Sequence, residues 1–192
     1  MLAKLFAFGK RNYINNAVVT ADVLDFIIRT FGDVTNFRLQ FKKPFLTQGE
    51  FRIGIDKLDG HFIGHFDFNN TRFYFAYSPT DIELENKNVS VDDVKTDVNM
   101  FSVCYYISDT GHRAVLEECD RIYGPRTNDD KAIFVIYEIP DTSVISAAVK
   151  SKIVPKVDIT KIEHIGDRRF KLSVFVNDKF FGYRYNTVKK FI

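Results

Sequence analysis

Residues 51–77 have the sequence FRIGIDKLDGHFIGHFDFNNTRFYFAY, and this stretch decides the fold class. Apolar and polar residues alternate along most of it, which is the pattern of strands with one buried face. Asp59-Gly60 and Asn69-Asn70 each suit a two-residue hairpin turn, because Asn, Asp and Gly tolerate the positive φ that such turns need. The stretch therefore predicts a three-stranded antiparallel meander.

Counting outward from both turns assigns the residues of this meander to two faces. The polar face aligns two cross-strand rows, formed by Arg52, Asp67 and Arg72 and by Gly54, His65 and Tyr74. The apolar face consists of Phe51, Ile53, Ile55, Phe62, Gly64, Phe66, Phe68, Phe73, Phe75 and Tyr77. A slip of one residue would scatter both sets, so the two turns support the same register.

The segments before and after this meander predict helices and further strands. Thr20 can cap a helix that runs to Phe31, with Gly32 just past its end. Apolar and polar side chains alternate over residues 37–41, which predicts a strand with one solvent-exposed face. Residues 101–107 are apolar on both faces and predict a buried strand, followed by a helix capped by Thr110 and a second buried strand over 132–139. Together these last three elements would form a βαβ crossover.

The C-terminal region predicts a second meander after a short helix over 143–150. Asn177-Asp178 is its turn and pairs residues 170–176 with 179–185, beside a third strand near 159–165. We therefore expect residues 1–192 to form a single α+β domain. Its sheet should be predominantly antiparallel, with two β-meanders, two or three helices and a possible βαβ unit.

Composition places the chain among globular proteins of the cytoplasm, its own or a host's. Apolar residues make up 45% and charged residues 27%, and the 20 Phe residues favour sheet. Cys104 and Cys119 form neither a disulfide framework nor a CxxC pair. No run approaches the roughly 18 apolar residues of a membrane span, so we expect no membrane association. We expect no metal and no cofactor, because four residues of strand separate His61 from His65 by about 13 Å.

A basic C-terminal surface is the first candidate site. Residues 161–192 hold eight Lys/Arg and three Asp/Glu, a net charge of +5. Aromatic and cationic side chains on one strand face are typical of surfaces that bind single-stranded nucleic acid. The alternative is that this face packs on another layer while its basic side chains reach past it. The predicted nucleic-acid-binding residues are Arg169, Lys171, Phe175, Phe180 and Arg184.

The segment 108–113 is the second candidate site. It follows a predicted strand and opens a predicted helix, where free N–H groups could hold a phosphate or carboxylate. The anion-binding residues would be Thr110, Gly111, His112 and Arg113. The alternative is an ordinary helix cap, since both glycine-rich nucleotide-binding signatures are absent. Cys119, two helical turns from His112, is interpreted as a core residue and not as a nucleophile.

These observations favour a protein that is not an enzyme. The leading hypothesis is an interaction or assembly protein, with a viral or phage structural or accessory protein as its proposed origin, located in the cytoplasm or the virion. Its partner would be another protein or further copies of itself, with both chain ends held in place by the assembly. The alternatives are a single-stranded nucleic-acid-binding module that uses the 169–184 hairpin, and a small-molecule enzyme with its anion site at 108–113.

Overall fold

The computed structural model describes residues 6–8, 12–127 and 130–190. The helices are α1 (Asn16–Phe31), α2 (Val91–Thr96), α3 (Met100–Tyr123) and α4 (Ser143–Ser151). The strands are β1 (Phe6–Phe8), β2 (Thr35–Phe41), β3 (Thr47–Gly54), β4 (Phe62–Phe68), β5 (Thr71–Glu83), β6 (Glu85–Lys87), β7 (Asp130–Asp141), β8 (Val157–Gly166), β9 (Arg169–Val176) and β10 (Lys179–Lys190). The predicted order of both chain ends falls partly on residues 1–5 and 191–192, which lie outside the described residues.

Eight strands form one antiparallel sheet in the order β3-β5-β4-β2-β7-β10-β9-β8, and β1 and β6 form a separate parallel pair. The predicted α+β class with a predominantly antiparallel sheet is therefore confirmed. That the chain is a single domain stays a prediction. The helices α1 and α3 contact each other, and α3 also contacts β7, β8, β9 and β10.

The sheet is built from two similar halves. In the first half (residues 16–83), α1 is followed by β2 to β5; in the second half (residues 100–190), α3 is followed by β7 to β10, with α4 after β7. Strands β2 and β7 pair antiparallel at the middle of the sheet, with Arg38 opposite Glu138. We call this β2–β7 pair the seam, because it joins the two halves.

The core lies between the helices and one face of the sheet, which we call the inner face. In the first half this core is aromatic: the Phe31 ring at the end of α1 lies 5.1 Å from that of Phe66 and 5.2 Å from that of Phe73. In the second half the strand residues of the inner face are mainly aliphatic, and Leu172 and Val174 are fully buried. Because the helices cover only the inner face, the outer face of the sheet is left for polar side chains.

The first predicted meander is correct in one hairpin and wrong in the other. Asn69-Asn70 forms the expected turn, with φ of 48° and 61°, and Phe66 lies opposite Phe73. Strand β3, however, pairs with β5 instead of β4, so Arg52 lies opposite Ala76 and not in the row of Asp67 and Arg72. The row of Gly54, Tyr74 and His65 is confirmed, with β5 in its middle.

The wrong hairpin has a physical reason in the segment 55–61, which crosses β5. His61 donates its N–H to the Tyr77 carbonyl at 2.9 Å, and the Arg52 guanidinium donates to the Asp59 carbonyl at 3.0 Å. Gly60 lacks the positive φ that a tight hairpin turn would need. The long strand β5 can then accept a partner on each side, which satisfies its backbone groups.

The segment 101–107 is helical, so the predicted buried strand and the βαβ unit are wrong. Asn99 caps α3, and its side chain accepts from the Ser102 N–H in a capping box. The buried residues of the first turns recur at spacings of three and four, namely Met100, Val103, Cys104 and Ile107. This is the helical period, and the short apolar run concealed it. The helix α1 likewise begins at Asn16, capped by Asn15 and not by Thr20.

Candidate binding site on the outer face of the sheet

A continuous row of side chains crosses the outer face at the seam. Register pairs place Tyr74 opposite His65, His65 opposite Arg38, Arg38 opposite Glu138, and Glu138 opposite Tyr183. Five strands therefore contribute to one line of polar and aromatic groups: β5, β4 and β2 of the first half, and β7 and β10 of the second half. Such a line is available to ligands because the helices lie on the inner face.

A depression of about 290 Å³ lies along this row, and we call it the seam pocket. It is lined by Asn36, Phe37, Arg38, His65, Arg72, Glu138, Ile139, Pro140 and Tyr183. A wider, open depression of about 760 Å³ adjoins it through Asn36 and Arg72.

An irregularity in β2 shapes the seam pocket. The register between β2 and β4 shifts between Thr35 and Arg38, and Asn36 within this shift has a φ of 50°. Asn tolerates this left-handed conformation better than most residues, and here its side chain donates to Asp67 Oδ2 at 2.9 Å. Bulges re-aim side chains and are frequent beside functional sites. Asn36 and Arg38, two residues apart on β2, both line the seam pocket beside this irregularity.

Glu138 is held on two sides in the seam pocket. The Arg38 guanidinium lies 2.8 Å from Glu138 Oε1, and the Tyr185 hydroxyl donates to Glu138 Oε2 at 2.8 Å. Burial, and then the hydrogen bond to this carboxylate, raise the pKa of Tyr185 to about 12. The tyrosine therefore stays protonated over the physiological range and keeps donating to Glu138.

Asp67 and Arg72 form a second ion pair at the edge of the pocket. The Arg72 Nε and Nη2 donate to the two Asp67 oxygens at 2.7 and 3.0 Å, a bidentate arrangement. These bonds, more than any other group, lower the pKa of Asp67 to about 2. The Asp67 carboxylate therefore remains charged, and it fixes Arg72 beside the pocket.

His65 on β4 has Arg38 opposite it on β2, while Arg72 on β5 lies opposite Asp67, two residues further along β4. Burial lowers its pKa most, and the positive charges of Arg72 and Arg38 lower it further. A lowered pKa means that the imidazole is uncharged at neutral pH, with one nitrogen able to donate and the other able to accept. The pocket thus presents two guanidinium groups and a neutral imidazole side by side.

Arg184 does not lie on the predicted nucleic-acid-binding face, because its side chain is buried and only 1% exposed. The register between β9 and β10 shifts between Phe180 and Gly182, and this bulge turns Arg184 to the inner face. There it donates to the Ile107 and Ser108 carbonyls at 3.0 and 2.7 Å. The turn Asn177-Asp178 is confirmed, but simple alternation past it places the later residues of β10 on the wrong face.

The other four predicted residues stay on the outer face or at its margin. The Phe175 and Phe180 rings lie 5.4 Å apart, and Arg169 is exposed. Lys171 lies 4.0 Å above the Tyr183 ring and 3.8 Å from Glu163, so an acid does interrupt the basic surface.

The helix start predicted at 108–113 is wrong, because these residues lie in the middle of α3, and the anion site predicted there loses its structural basis. The N–H groups of Thr110, Gly111, His112 and Arg113 are therefore not those of a helix start. Gly111 is packed under the Arg184 guanidinium, and Arg113 forms an ion pair with Asp109.

Metal ligation gains no support from the described residues, where no three His, Cys, Asp or Glu side chains group together. The His61 ring packs against Phe45 at 5.1 Å, while His65 lies in the seam pocket. Cys104 and Cys119 are both buried, and burial raises the pKa of the Cys104 thiol. A buried protonated thiol is a poor nucleophile, which agrees with a role in the core.

Sequence reasoning missed Arg38, Glu138 and Tyr185. They lie on three strands that are far apart in the chain and meet only through the seam and the bulged β10. The available signals were His65, Asp67 and Arg72, which the first meander had already placed on a polar face. The row predicted from the sequence places His65 beside Tyr74, whose ring is 6.1 Å away.

Comparison with known proteins gives few matches. No protein-family model matches the chain, and no curated protein sequence is significantly similar to it. Among solved structures, the chain is similar to an acyl-ACP thioesterase from Bacteroides thetaiotaomicron VPI-5482, with 9% sequence identity and a TM-score of 0.45. The match covers 98% of this chain and 96% of that one. At this level the likeness transfers no substrate or activity to the present chain.

The leading functional hypothesis is corrected by these findings. The similar solved protein is an enzyme, and no viral, phage or nucleic-acid-binding protein is among the matches. No match among known proteins supports the expectation of a non-enzymatic assembly protein of viral or phage origin, or its nucleic-acid-binding alternative. In the described part of the chain, no helix is long and apolar enough to cross a membrane. The cytoplasmic location and the protein partner stay predictions.

Proposed function

We propose that this protein binds a small organic anion in the seam pocket. The observation that carries the proposal is the position of His65 between Arg38 and Arg72, in a depression to which both halves of the sheet contribute. The two guanidinium groups flank the imidazole and keep N–H donors beyond those bound by Glu138 and Asp67, and charged donors of this kind form strong hydrogen bonds with an anionic ligand.

Arg38 and Arg72 are already held in position for an anionic ligand. Arg38 Nη1 is paired with Glu138, and Arg72 is held by Asp67 through Nε and Nη2. Each guanidinium has five N–H donors, so both retain donors for a further acceptor. Because the two side chains are already fixed by their carboxylates, less conformational entropy is lost when a ligand binds.

The volume of the seam pocket limits the size of the ligand. A volume of about 290 Å³ lies at the small end of ordinary ligand sites, which range from roughly 300 to 1,000 Å³. The ligand is therefore a small metabolite-sized molecule and not a polymer.

The test is a titration of His65 by proton NMR. The chain has four histidines, and the His65 signal is identified by its loss in His65→Gln. An anion held beside the imidazole stabilises its charged form, so saturating acetate or inorganic phosphate should raise the pKa of His65. The other histidines should not move.

Two variants sharpen this titration. Arg38→Gln should weaken the effect of the added anion, while Arg169→Gln, on an exposed part of β9 outside the pocket, should leave it unchanged. If neither anion changes the pKa of His65 at saturating concentration, the proposed function is contradicted.

A further inference from the structure

The lining of the seam pocket differs on the two sides of the seam. The first half contributes its cationic and imidazole groups, Arg38, His65 and Arg72. The second half contributes Pro140 and Tyr183, together with Glu138, which is already occupied by Arg38 and Tyr185. The pocket therefore has a charged side on the first half and an apolar surface on the second, with the ion-paired Glu138 between Arg38 and Tyr183.

We infer that the ligand is an aromatic or other planar apolar monocarboxylic acid, with its carboxylate at Arg38 and His65 and its ring against Tyr183 and Pro140. This inference rests on the proposed function and adds the chemical class of the ligand.

The distance between the two sides fits such a molecule. Strands β2 and β10 are separated only by β7, so their backbones lie about 10 Å apart, two strand spacings. Arg38 and Tyr183 project from these two strands into the same pocket. A single ring that carries a carboxylate spans the space between two such side chains, whereas acetate reaches only the charged side.

The Tyr183 ring is held in position and offers a surface against which a ring of the ligand can pack. Lys171 Nζ lies 4.0 Å from its ring centroid, and the Phe180 ring lies 5.2 Å away in an edge arrangement. These neighbours restrain the Tyr183 ring, and aromatic pairs gain stability beyond their buried area. Pro140 is exposed and has no N–H group, so it adds an apolar wall without a competing donor.

The charges around the pocket favour a single negative charge on the ligand. Arg38 and Arg72 are balanced by Glu138 and Asp67, so the four groups together are neutral. A dianion such as a phosphate monoester would approach two carboxylates as well as two guanidinium groups. A monocarboxylate can accept from the remaining guanidinium donors with less repulsion.

The experiment compares benzoate, acetate and inorganic phosphate as probes, with the His65 signal as the readout. Benzoate should bind at least about ten-fold more tightly than acetate, because its ring buries apolar surface that acetate lacks. Tyr183→Ala should reduce the affinity for benzoate to that for acetate and leave acetate unchanged. Tyr183→Phe keeps the ring and should keep the affinity, and Tyr123→Ala, outside the pocket, should have no effect.

The outcomes separate the two proposals. If acetate and benzoate bind equally, or if Tyr183→Ala leaves benzoate unaffected, the aromatic class is overturned while anion binding stands. If phosphate binds most tightly, the inference that the ligand carries a single negative charge is overturned, while anion binding stands. If no probe changes the His65 signal, the proposed function itself fails. Melting curves of each variant establish that it is folded at the titration temperature.

Discussion

The two halves of the sheet share an order of elements, and the second strand of each lies at an outer edge of the sheet, but the two second strands pair with different partners. In the second half, the two-residue turn Asp167-Arg168 joins β8 to β9, and the two strands pair. In the first half, residues 55–61 join β3 to β4, and β3 lies instead on the far side of β5. A two-residue turn dictates which strands pair, whereas a longer connection leaves the choice to packing.

The halves also differ in what fills their cores. The first half stacks Phe66 against Phe73 at 5.4 Å, beneath Phe31 of α1. The second half buries Arg184 against the backbone of α3, with Asn186 accepting from its Nε at 2.7 Å. The difference shows that one arrangement of strands can be stabilised either by ring contacts or by a satisfied buried charge.

The largest expected effect concerns the aromatic core of the first half. Phe66 is fully buried, so Phe66→Ala should lower the free energy of unfolding by about 3–5 kcal/mol through lost burial and a cavity. Leu172→Ala, equally buried in the second half, should cost about 2–5 kcal/mol and serves as the matched substitution. Urea unfolding measures both, and a loss below about 1 kcal/mol for Phe66→Ala would show that the ring cluster is not packed as described.

The next effect concerns the buried arginine of the second half. A methyl group added at Gly111 would lie 2.9 Å from Arg184 Nη1 and 3.1 Å from its Cδ. Gly111→Ala should therefore destabilise the protein by about 1–3 kcal/mol, although Ala is the better helix former.

The sign should reverse when the arginine is shortened. In an Arg184→Ala background the clash disappears, and Gly111→Ala should then stabilise by about 0.5–1 kcal/mol, the helix-propensity difference. A double-mutant cycle by urea unfolding measures this coupling. Equal effects in both backgrounds would mean that Arg184 does not lie over Gly111.

The smallest effect tests the feature that the halves share. Asn70 and Asp178 both have a φ of 61° in the second position of their turns. Alanine is disfavoured in this conformation, so Asn70→Ala and Asp178→Ala should each cost about 1 kcal/mol, and by similar amounts. Asp59→Ala removes an exposed ion pair with Lys42 and an exposed hydrogen bond from the Gly60 backbone, and should change stability little. A markedly larger loss at Asp59 would indicate that residues 55–61 form a hairpin turn after all.

Local signals account for the part of the fold that could be predicted. Alternation placed Phe37, Leu39 and Phe41 on the buried face of β2, and positive-φ residues marked the turns Asn69-Asn70 and Asn177-Asp178 correctly. The error at 101–107 arose because a seven-residue run that is apolar except at Ser102 satisfies a strand and a buried helix equally well. The error at Arg184 arose because a bulge leaves no mark in a pattern of alternation.

The candidate site was less predictable than the fold. Its polar face was foreseen at His65 and Asp67, because they lie within one hairpin whose register the turn fixes. Arg38 and Glu138 meet only across the seam, where two separate halves pair.

The sequence by itself determined the class of the sheet, the approximate positions of most strands and the two Asn-containing turns, because these depend on side-chain period and on backbone conformations of single residues. Only the tertiary structure decided that β3 crosses to the far side of β5 and that β2 pairs with β7. It also decided that Arg184 turns inward. These outcomes depend on contacts between residues far apart in the chain, whose free energies no local pattern records.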